Sequence, residues 1–413
     1  MELGLAKRVA LLGTSKAFRQ LLIASVASGF GTWLAFVALT VDVWDTTHSS
    51  VWVAALLAAD FLPTVAVGLF LGPFVDRLSR KRVLVVSDLV RCVVFAVLPF
   101  TGSPGAIVVL AAVSGFATGF FRPAVYASVP NLVSEDDLPQ ANSLMQACEN
   151  LTWLVTPPLA GLLVAAAGPD PGYVLNSVSF ALSALLISRI PARLFQAAKA
   201  VSEGHMQDLL AGVRLVLHTR PLLTVFVAWN VFFVSYAAVN VAEITFAKET
   251  LDAGDFGFGL LLGAGGLGLV IGSYLAGSAI GRFRIAAVYG GSIGAIALGI
   301  AGAAAAPVLL VAAACVVVAG FGNGIAVVCN VLLVQRGAPD ELRGRAFTII
   351  MSTNYAVLGV SMAVAGLLTD AVGARWVWAL GAAVAALAAV LGYALAPRPE
   401  QGTAPVGETV PTA

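Results

Sequence analysis

The stretch GPFVDRLSRKR, residues 72–82, concentrates charge in an otherwise apolar chain. It places five charged side chains between two long apolar segments, in a 413-residue sequence that is 59% hydrophobic and only 11% charged. Soluble domains carry charge at about a quarter of their positions, so this composition is typical of a membrane protein. Short basic clusters between apolar segments are typical of cytoplasmic loops. The stretch therefore indicates a chain that crosses a membrane several times.

The number of crossings follows from the apolar segments on either side of this loop. A membrane-spanning helix needs about 20 mostly apolar residues. Twelve segments meet that requirement, at residues 18–41, 51–74, 83–101, 105–127, 140–166, 171–190, 221–246, 257–280, 284–303, 306–334, 345–369 and 373–395. The predicted fold class is therefore an all-α membrane protein with twelve transmembrane helices.

The basic residues predict the orientation of these spans. If both termini are cytoplasmic, all of the 23 Lys and Arg residues except Lys248 and Arg375 fall on the cytoplasmic side. Positive charge collects on that side in membrane proteins. We expect a multi-pass protein of the bacterial inner membrane with both termini in the cytoplasm.

The two halves of the chain resemble each other. Leu138 corresponds to Leu342, and Gly72 corresponds to Gly277, at nearly the same spacing. Internal repeats of this kind are common in secondary transporters. We predict four parts: an N-terminal six-helix bundle at 1–190, a cytoplasmic linker with an amphipathic helix at 191–220, a C-terminal six-helix bundle at 221–395 and a disordered cytoplasmic tail at 396–413.

The charged stretch also carries a resemblance to a known family. GPFVDRLSRKRVL is similar to the loop 2–3 signature of the major facilitator superfamily. The residues that match its fixed positions are Gly72, Asp76, Arg77, Arg80 and Lys81. SDLVR at 87–91 and PDELRGRAF at 339–347 resemble the branch of macrolide-efflux proteins and enterobactin exporters. The resemblance covers essentially the whole chain and implies two pseudo-symmetric six-helix bundles that rock about a central cavity.

The resemblance further implies a latch at the inner end of the second span. In the family, the residue corresponding to Asp76 holds the two bundles together when the cavity faces outward. A carboxylate there can accept hydrogen bonds from a helix N-terminus and from guanidinium groups. The predicted inner gate consists of Gly72, Asp76, Arg77, Arg80, Lys81 and Arg122. The alternative is that the basic residues only fix the topology.

Four acidic residues are candidates for proton coupling: Asp60, Glu149 and Glu243 within predicted spans, and Asp42 at the outer end of the first span. An ionisable group inside a membrane is costly and marks a functional site. The first two lie near mid-membrane, where burial disfavours the charged form and allows a proton to be bound in one facing state and released in the other. Their alternative role is a static hydrogen bond to Gln146 or Asn150. The last two lie near outer span ends, where contact with headgroup water is the alternative.

Aromatic side chains mixed with a few polar groups suit a cavity for an amphiphilic ligand. The predicted cavity residues are Trp33, Phe36, Trp153, Trp229, Asn230, Phe233, Tyr236 and Tyr355. Packing or contact with lipid is the alternative for each of them. The deep charges are predicted to be acidic, with no deep Lys or Arg. This pattern favours neutral or cationic cargo over anionic catecholate siderophores.

Other patterns in the sequence argue against soluble and catalytic functions. GAGGLG at 263–268 lies inside a predicted span, which argues against dinucleotide binding. We expect Gly259, Gly263, Gly268 and Gly272 to allow close helix packing instead. The sequence contains no ATP-binding loop and no catalytic or metal-binding spacing. The net charge of +1 argues against a nucleic-acid partner.

The sequence therefore predicts a secondary transporter rather than an enzyme. The expected activity is proton-coupled efflux of amphiphilic neutral or cationic small molecules, such as drugs or macrolides, by rocker-switch alternating access. The expected partners are that substrate, protons and membrane lipids, and the protein is expected to be a monomer. We predict no metal and no cofactor, with the proton gradient as the energy source. The alternatives are a siderophore or lipid exporter of the same fold, a non-transporting membrane scaffold or sensor, and a membrane-embedded transferase.

Overall fold

Twelve long helices form the described part of the protein. The structure is a computed structural model that describes residues 13, 15–70, 79–195 and 213–396. The helices are α1 Lys16–Thr47, α2 Ser50–Phe70, α3 Arg80–Val97, α4 Pro104–Ser128, α5 Leu138–Ala167, α6 Asp170–Ser188, α7 Arg220–Thr245, α8 Gly254–Arg282, α9 Ile285–Ala305, α10 Leu309–Gly337, α11 Asp340–Val372 and α12 Ala374–Leu395. All twelve contain a stretch long and apolar enough to cross a membrane. The predicted fold class is confirmed, and no strand occurs in the described ranges.

The ends of two corresponding helices show why the chain turns where it does. Gly168 follows α5 with φ of 75°, and Gly373 follows α11 with φ of 86°. Glycine adopts positive φ without steric cost, so it allows a helix to end in a tight reversal. The next helix begins two residues after Gly168 and directly after Gly373. The two halves of the chain thus use the same device at the same place.

Helix pairing is also repeated between the halves. In the N-terminal half the main packed pairs are α1–α5, α1–α6, α2–α4, α3–α4 and α3–α6. In the C-terminal half they are α7–α11, α7–α12, α8–α10, α9–α10 and α9–α12. Each pair of the first set becomes a pair of the second set when six is added to both helix numbers. The two bundles are therefore built on the same plan.

Part of the predicted domain organisation lies outside the described residues. The tail at 397–413 and the linker segment at 196–212 belong to that part of the chain. The described remainder of the linker contains a short 3₁₀ turn at Ala192–Phe195 and helical residues at 213–218. The amphipathic helix of the linker and the disordered tail stay predictions.

Candidate transport cavity

A cavity of about 850 Å³ lies between the two halves of the chain. Residues of α1 to α5 line one wall, and residues of α7 to α12 line the other. Leu22, Arg122 and Tyr126 are among the lining residues, and they lie toward the helix ends that the sequence predicts to be cytoplasmic. The described contacts between the halves lie toward the opposite, predicted outer face. The cavity is therefore open toward the predicted cytoplasmic face.

The outer closure begins at the N-terminus of α2. The Asp370 carboxylate, near the end of α11, accepts hydrogen bonds of 2.7 Å from the Ser49 hydroxyl and from the Ser50 backbone N–H. Free N–H groups and the helix dipole make a helix N-terminus a favourable position for a carboxylate. Because Asp370 belongs to one half and α2 to the other, this cap joins the two bundles.

Two further contacts complete this closure. The buried Ser50 hydroxyl lies 3.0 Å from the Thr245 hydroxyl on α7. The Lys248 ammonium forms an ion pair with Asp45, at the end of α1, and lies 2.6 Å from an Asp255 oxygen on α8. Lys248 belongs to a π-helical turn, Phe246–Thr250, and such turns are frequent at functional sites. Hydrogen bonds and charge pairs thus connect α1 and α2 to α7, α8 and α11.

A seam of small residues seals the other side of the interface, between α5 and α8. A Cβ atom added at Gly161 would lie 2.6 Å from the Asp255 carbonyl oxygen, and one at Gly259 would lie 2.3 Å from the Pro157 carbonyl oxygen. Both distances are too short for any side chain. The TPPLAG stretch at 156–161 therefore packs directly on α8, and the predicted packing role of the glycines in α8 is confirmed.

Asp60 lines the cavity beside a buried charge cluster. Arg91 of α3 also lines the cavity, is 3% exposed and donates to the Asp88 carboxylate at 2.5 Å. Ser183 donates to the other Asp88 oxygen at 2.6 Å. The guanidinium of Arg91 lies 4.2 Å from the ring centroids of both Phe121 and Phe180, and Arg91 and Asp60 line the same wall of the cavity.

The position of Arg91 corrects the prediction that no basic residue lies deep in the spans. Arg91 follows the start of α3 by eleven residues, which places it about 16 Å along the helix axis at about 1.5 Å per residue. The sequence grouped it with the basic loop because SDLVR stands close to that loop. The cavity wall therefore carries a deep positive charge, and the argument against anionic cargo loses its premise.

Glu149 is not the buried mid-membrane carboxylate that the sequence predicts. Its side chain is 36% exposed toward the cavity, accepts a 2.8 Å hydrogen bond from the Tyr126 hydroxyl and lies 3.8 Å from the Arg122 guanidinium. The suggested partners Gln146 and Asn150 bond to each other instead. Glu149 is therefore exposed to the cavity and paired with Arg122, and it is not isolated in the protein interior.

The two candidates near the outer face occupy different environments. Asp42 accepts a 2.7 Å hydrogen bond from the Tyr173 hydroxyl, so it ties α1 to α6, and it is not among the residues that line the cavity. Glu243 is only 6% exposed and lines the cavity. Glu243 is therefore buried at the cavity wall, and the alternative of contact with headgroup water does not apply to it.

Five of the eight predicted cavity residues line the cavity: Trp33, Phe36, Trp153, Tyr236 and Tyr355. Trp33 stacks on Trp153 with ring centroids 5.8 Å apart, which pairs α1 with α5 in the N-terminal wall. The other three pack between helices. Asn230 donates to the Thr353 hydroxyl at 3.2 Å, and Trp229 and Phe233 pack around Phe232.

The predicted inner gate is described only in part. Gly72, Asp76 and Arg77 lie outside the described residues. Arg80 donates to the Ala127 carbonyl at 2.8 Å, and Lys81 donates to the carbonyls of Ser188 and Ile190 at 2.7 Å. These contacts stabilise the C-terminal ends of α4 and α6 within the N-terminal half. Arg122, the third described member, faces Glu149 across the cavity wall.

Sequence reasoning missed Asp88, Arg91, Lys248 and Asp370 as site residues. A signal was present for the pair on α3, because Asp88 and Arg91 are three residues apart and share a helix face. The last two lie close to span ends, where charge is ordinary and gives no signal. Their role depends on which helices meet, and the sequence does not specify those contacts.

Known proteins share this sequence and this architecture. The sequence matches the family described as Major Facilitator Superfamily over residues 21–355 and 225–411. It is 28% identical over 375 residues to the multidrug efflux pump Tap of Mycolicibacterium fortuitum, covering 86% of this chain and 89% of that one. It is 26% identical over 386 residues to the enterobactin exporter EntS of Shigella boydii serotype 4 (strain Sb227), covering 91% and 87%.

Solved structures show the same fold at lower identity. The nucleoside transporter NupG aligns with a TM-score of 0.73 at 14% identity, covering 92% of this chain and 99% of that chain. A bacterial homologue of the iron transporter ferroportin, in an inward-facing state, aligns with a TM-score of 0.73 at 16% identity, covering 93% and 99%. Two matched six-helix bundles, a cavity between them and a family match that runs through both halves lead to one conclusion. The chain is a multi-pass membrane transporter that belongs to the major facilitator superfamily.

Proposed function

We propose that this transporter exports amphiphilic neutral or cationic small molecules in exchange for protons. The observation that carries the proposal is the cavity of about 850 Å³ between the halves, with Asp60 on its wall. Its volume suits a drug-sized ligand, and its aromatic and apolar lining suits an amphiphilic one. The efflux pump Tap of M. fortuitum, similar over most of its length, supports the direction and the class of cargo.

Asp60 is the proposed proton carrier. It faces the cavity, whereas Asp88 is fully buried and held by Arg91 and Ser183. When Asp60 and Asp88 are both ionised, the cluster with Arg91 carries one net negative charge, and one proton makes it neutral. A net charge is tolerated in a water-filled cavity and is costly in a closed one. The two facing states therefore differ in how strongly they hold a proton at Asp60.

Alternating access would proceed by rocking of the two bundles about the cavity. Opening the outer face breaks the contacts of Asp370 and Lys248, and the predicted inner gate around Asp76 then closes the cytoplasmic side. We propose the same orientation as the charge distribution predicts, with both termini in the cytoplasm of a bacterial inner membrane. The protein acts as a monomer, with the proton gradient as its energy source.

The test is cargo-triggered proton movement in liposomes. The purified full chain is reconstituted with an internal pH-sensitive dye, and proton flux is recorded when a macrolide or an amphiphilic cation is added. We expect the Asp60→Asn variant to lose at least tenfold of the coupled flux. Asp42→Asn is the matched control because Asp42 lies outside the cavity, and its flux should stay within twofold of the native protein. Glu149→Gln and Asp76→Asn are compared in the same assay.

Native protein that binds such compounds and never moves protons would overturn the coupling.

Export of an anionic siderophore is a second candidate function. Arg91 and Arg122 on the cavity wall favour it, as does the similarity to the exporter EntS. Uptake of enterobactin into inverted vesicles that carry the native chain, absent in vesicles that carry Arg122→Gln, would support that second candidate.

A further inference from the structure

Glu243 is an acidic side chain without a counter-charge at the closed end of the cavity. It lies on α7, is 6% exposed and lines the cavity wall. No hydrogen bond or ion pair joins it to any residue in the described part of the chain. The nearest basic residue along the chain, Lys248, is held by Asp45 and Asp255. The carboxyl of Glu243 is therefore available to a ligand.

Aromatic side chains line the same cavity as Glu243. Phe232, Tyr236, Asn240 and Glu243 all line the cavity, at a spacing of three or four residues that places them on one face of α7. Phe233 packs against both Tyr236 and Tyr355, with ring centroids 5.7 Å and 6.2 Å from its own. The faces of these phenol rings carry negative charge density that attracts cations.

Trp378 of α12 adds a fixed ring to the same cavity. It stacks on Phe246 with ring centroids 4.4 Å apart and planes 18° from parallel, so its orientation is set by packing. Its buried indole N–H has no acceptor among the described residues. A rigid aromatic surface that also offers an unused hydrogen-bond donor is suited to holding part of a ligand.

We propose that Glu243, Tyr236, Tyr355 and Trp378 form a subsite for the cationic group of an amphiphilic cargo. This inference rests on the proposed function, because it names what the same cavity binds. An ionised carboxylate in a low-dielectric site requires an opposite charge, and a cargo cation supplies one. Cation–π contact with the rings adds to this attraction. The bulky apolar part of the cargo then lies against the remaining aromatic wall.

The subsite is separate from the proposed proton carrier. Glu243 belongs to the C-terminal half, whereas Asp60 belongs to the N-terminal half and lies within the field of Arg91. Cargo and proton can therefore be bound by different residues. Glu243 also lies two residues before Thr245, whose hydroxyl meets Ser50 in the outer closure. The carboxylate of the proposed subsite therefore lies on the same helix as a contact that must break during export.

The experiment compares two ligands that share their rings and differ in charge. Binding of tetraphenylphosphonium, a permanent cation, and of neutral triphenylphosphine oxide is measured on the purified full chain in detergent at one pH. We expect Glu243→Gln to raise the Kd for tetraphenylphosphonium at least tenfold and to change the Kd for the oxide less than twofold. Glu249→Gln is the matched control, because it removes an exposed carboxylate six residues further along, and both Kd values should stay within twofold.

Two further measurements keep the outcome decisive. Glu243→Asp retains the charge and should hold the Kd for tetraphenylphosphonium within about threefold, which guards against a misfolded Gln variant. An unchanged affinity for the cation in Glu243→Gln, equal losses for both ligands, or no binding of the cation by native protein would each overturn the subsite. The assay contains no proton step. A transporter that moves no protons and shows the expected pattern would therefore contradict the proposed coupling and leave the subsite standing.

Discussion

The buried pair of Asp88 and Arg91 shows how depth along a helix decides the role of a residue. The sequence places Arg91 near a basic loop, and only the start of α3 at Arg80 shows that it lies in mid-membrane. A guanidinium there is held by a carboxylate on one side and by two aromatic rings on its faces. The ring contacts come from α4 and α6, so no local pattern predicts them.

Breaking this pair in two steps tests whether it stabilises the N-terminal bundle. We expect Arg91→Gln to destabilise the protein by about 3–5 kcal/mol, because it leaves the fully buried Asp88 carboxylate without its partner. The double variant Asp88→Asn/Arg91→Gln should recover much of that loss, since it removes both charges. The measurement is the apparent melting temperature in detergent. A double variant no more stable than the single one would contradict the role of the pair.

For the remaining site residues, the sequence predicted which acidic side chains are candidates, but it did not predict which side chains they contact. Acidic residues within the spans, such as Asp60 and Glu243, stand out in the sequence because charge is rare there, and both line the cavity. Glu149 stands out for the same reason, yet its surroundings are set by Tyr126 and Arg122 on α4. The residue type therefore indicates a candidate, and the facing helix decides what that candidate touches.

At the scale of helices, the boundaries were predictable and the contacting faces were not. Long apolar runs give the ends of the twelve spans to within about six residues. The approach of α8 to α10 depends on positions where a side chain would meet backbone. A Cβ atom at Gly268 would lie 2.1 Å from the Val317 carbonyl oxygen, and one at Gly272 would lie 2.0 Å from the Phe321 carbonyl oxygen.

A single methyl group should separate these two helices. We expect Gly268→Ala to lower the apparent melting temperature, because α8 and α10 must move apart to admit the Cβ atom. Gly277→Ala, on the same helix, is the matched control. No atom lies within 4 Å of its added Cβ, and replacing a helical glycine by alanine stabilises by about 0.5–1 kcal/mol. The two variants should therefore shift the melting temperature in opposite directions, and equal shifts would contradict the close packing.

The cap that Asp370 places on α2 is the second prediction at this scale. Replacing a helix-capping acceptor by alanine costs about 1 kcal/mol, which is about a fivefold change in a population ratio. We expect Asp370→Ala to enrich the outward-open state by roughly that factor. Spin labels at the exposed positions Thr46 and Glu249, in a background without native cysteines, report the separation of α1 and α7 at the outer face.

A control separates this local effect from a general loss of negative charge. Asp252 is an exposed carboxylate in the adjoining outer loop, and Asp252→Asn tolerates its positive φ because Asn is accepted there. The distance distribution in that variant should match the native one. If Asp370→Ala gives the same distribution as Asp252→Asn, the cap does not hold the outer face closed.

For the whole molecule, the sequence predicted two matched bundles and left the facing state open. The repeat and the apolar segments carry the architecture. Which end of the cavity is closed depends on weak contacts between halves, such as Ser50 with Thr245, each of them small in free energy. Alternating access requires these contacts to be nearly balanced between the two faces, so the sequence cannot specify only one of them.

A reversible cross-link between the bundles tests this account of the closed outer face. The Ser50 and Thr245 hydroxyls are 3.0 Å apart, so the double variant Ser50→Cys/Thr245→Cys should form a disulfide on oxidation. We expect oxidation to reduce transport at least tenfold, reduction to restore it, and ligand binding from the cytoplasmic side to remain. The single variants are the controls, and full transport by the cross-linked protein would contradict the need for opening at this face.

The stacked indoles of Trp33 and Trp153 give the cavity an optical property of its own. Their rings lie 5.8 Å apart and 21° from parallel on its wall, close enough for their electronic transitions to couple. Such a pair produces a split circular dichroism signal and a fluorescence that depends on what lies against the rings. An aromatic cargo that enters the cavity will alter both signals. Occupancy can therefore be followed spectroscopically in the unlabelled native chain.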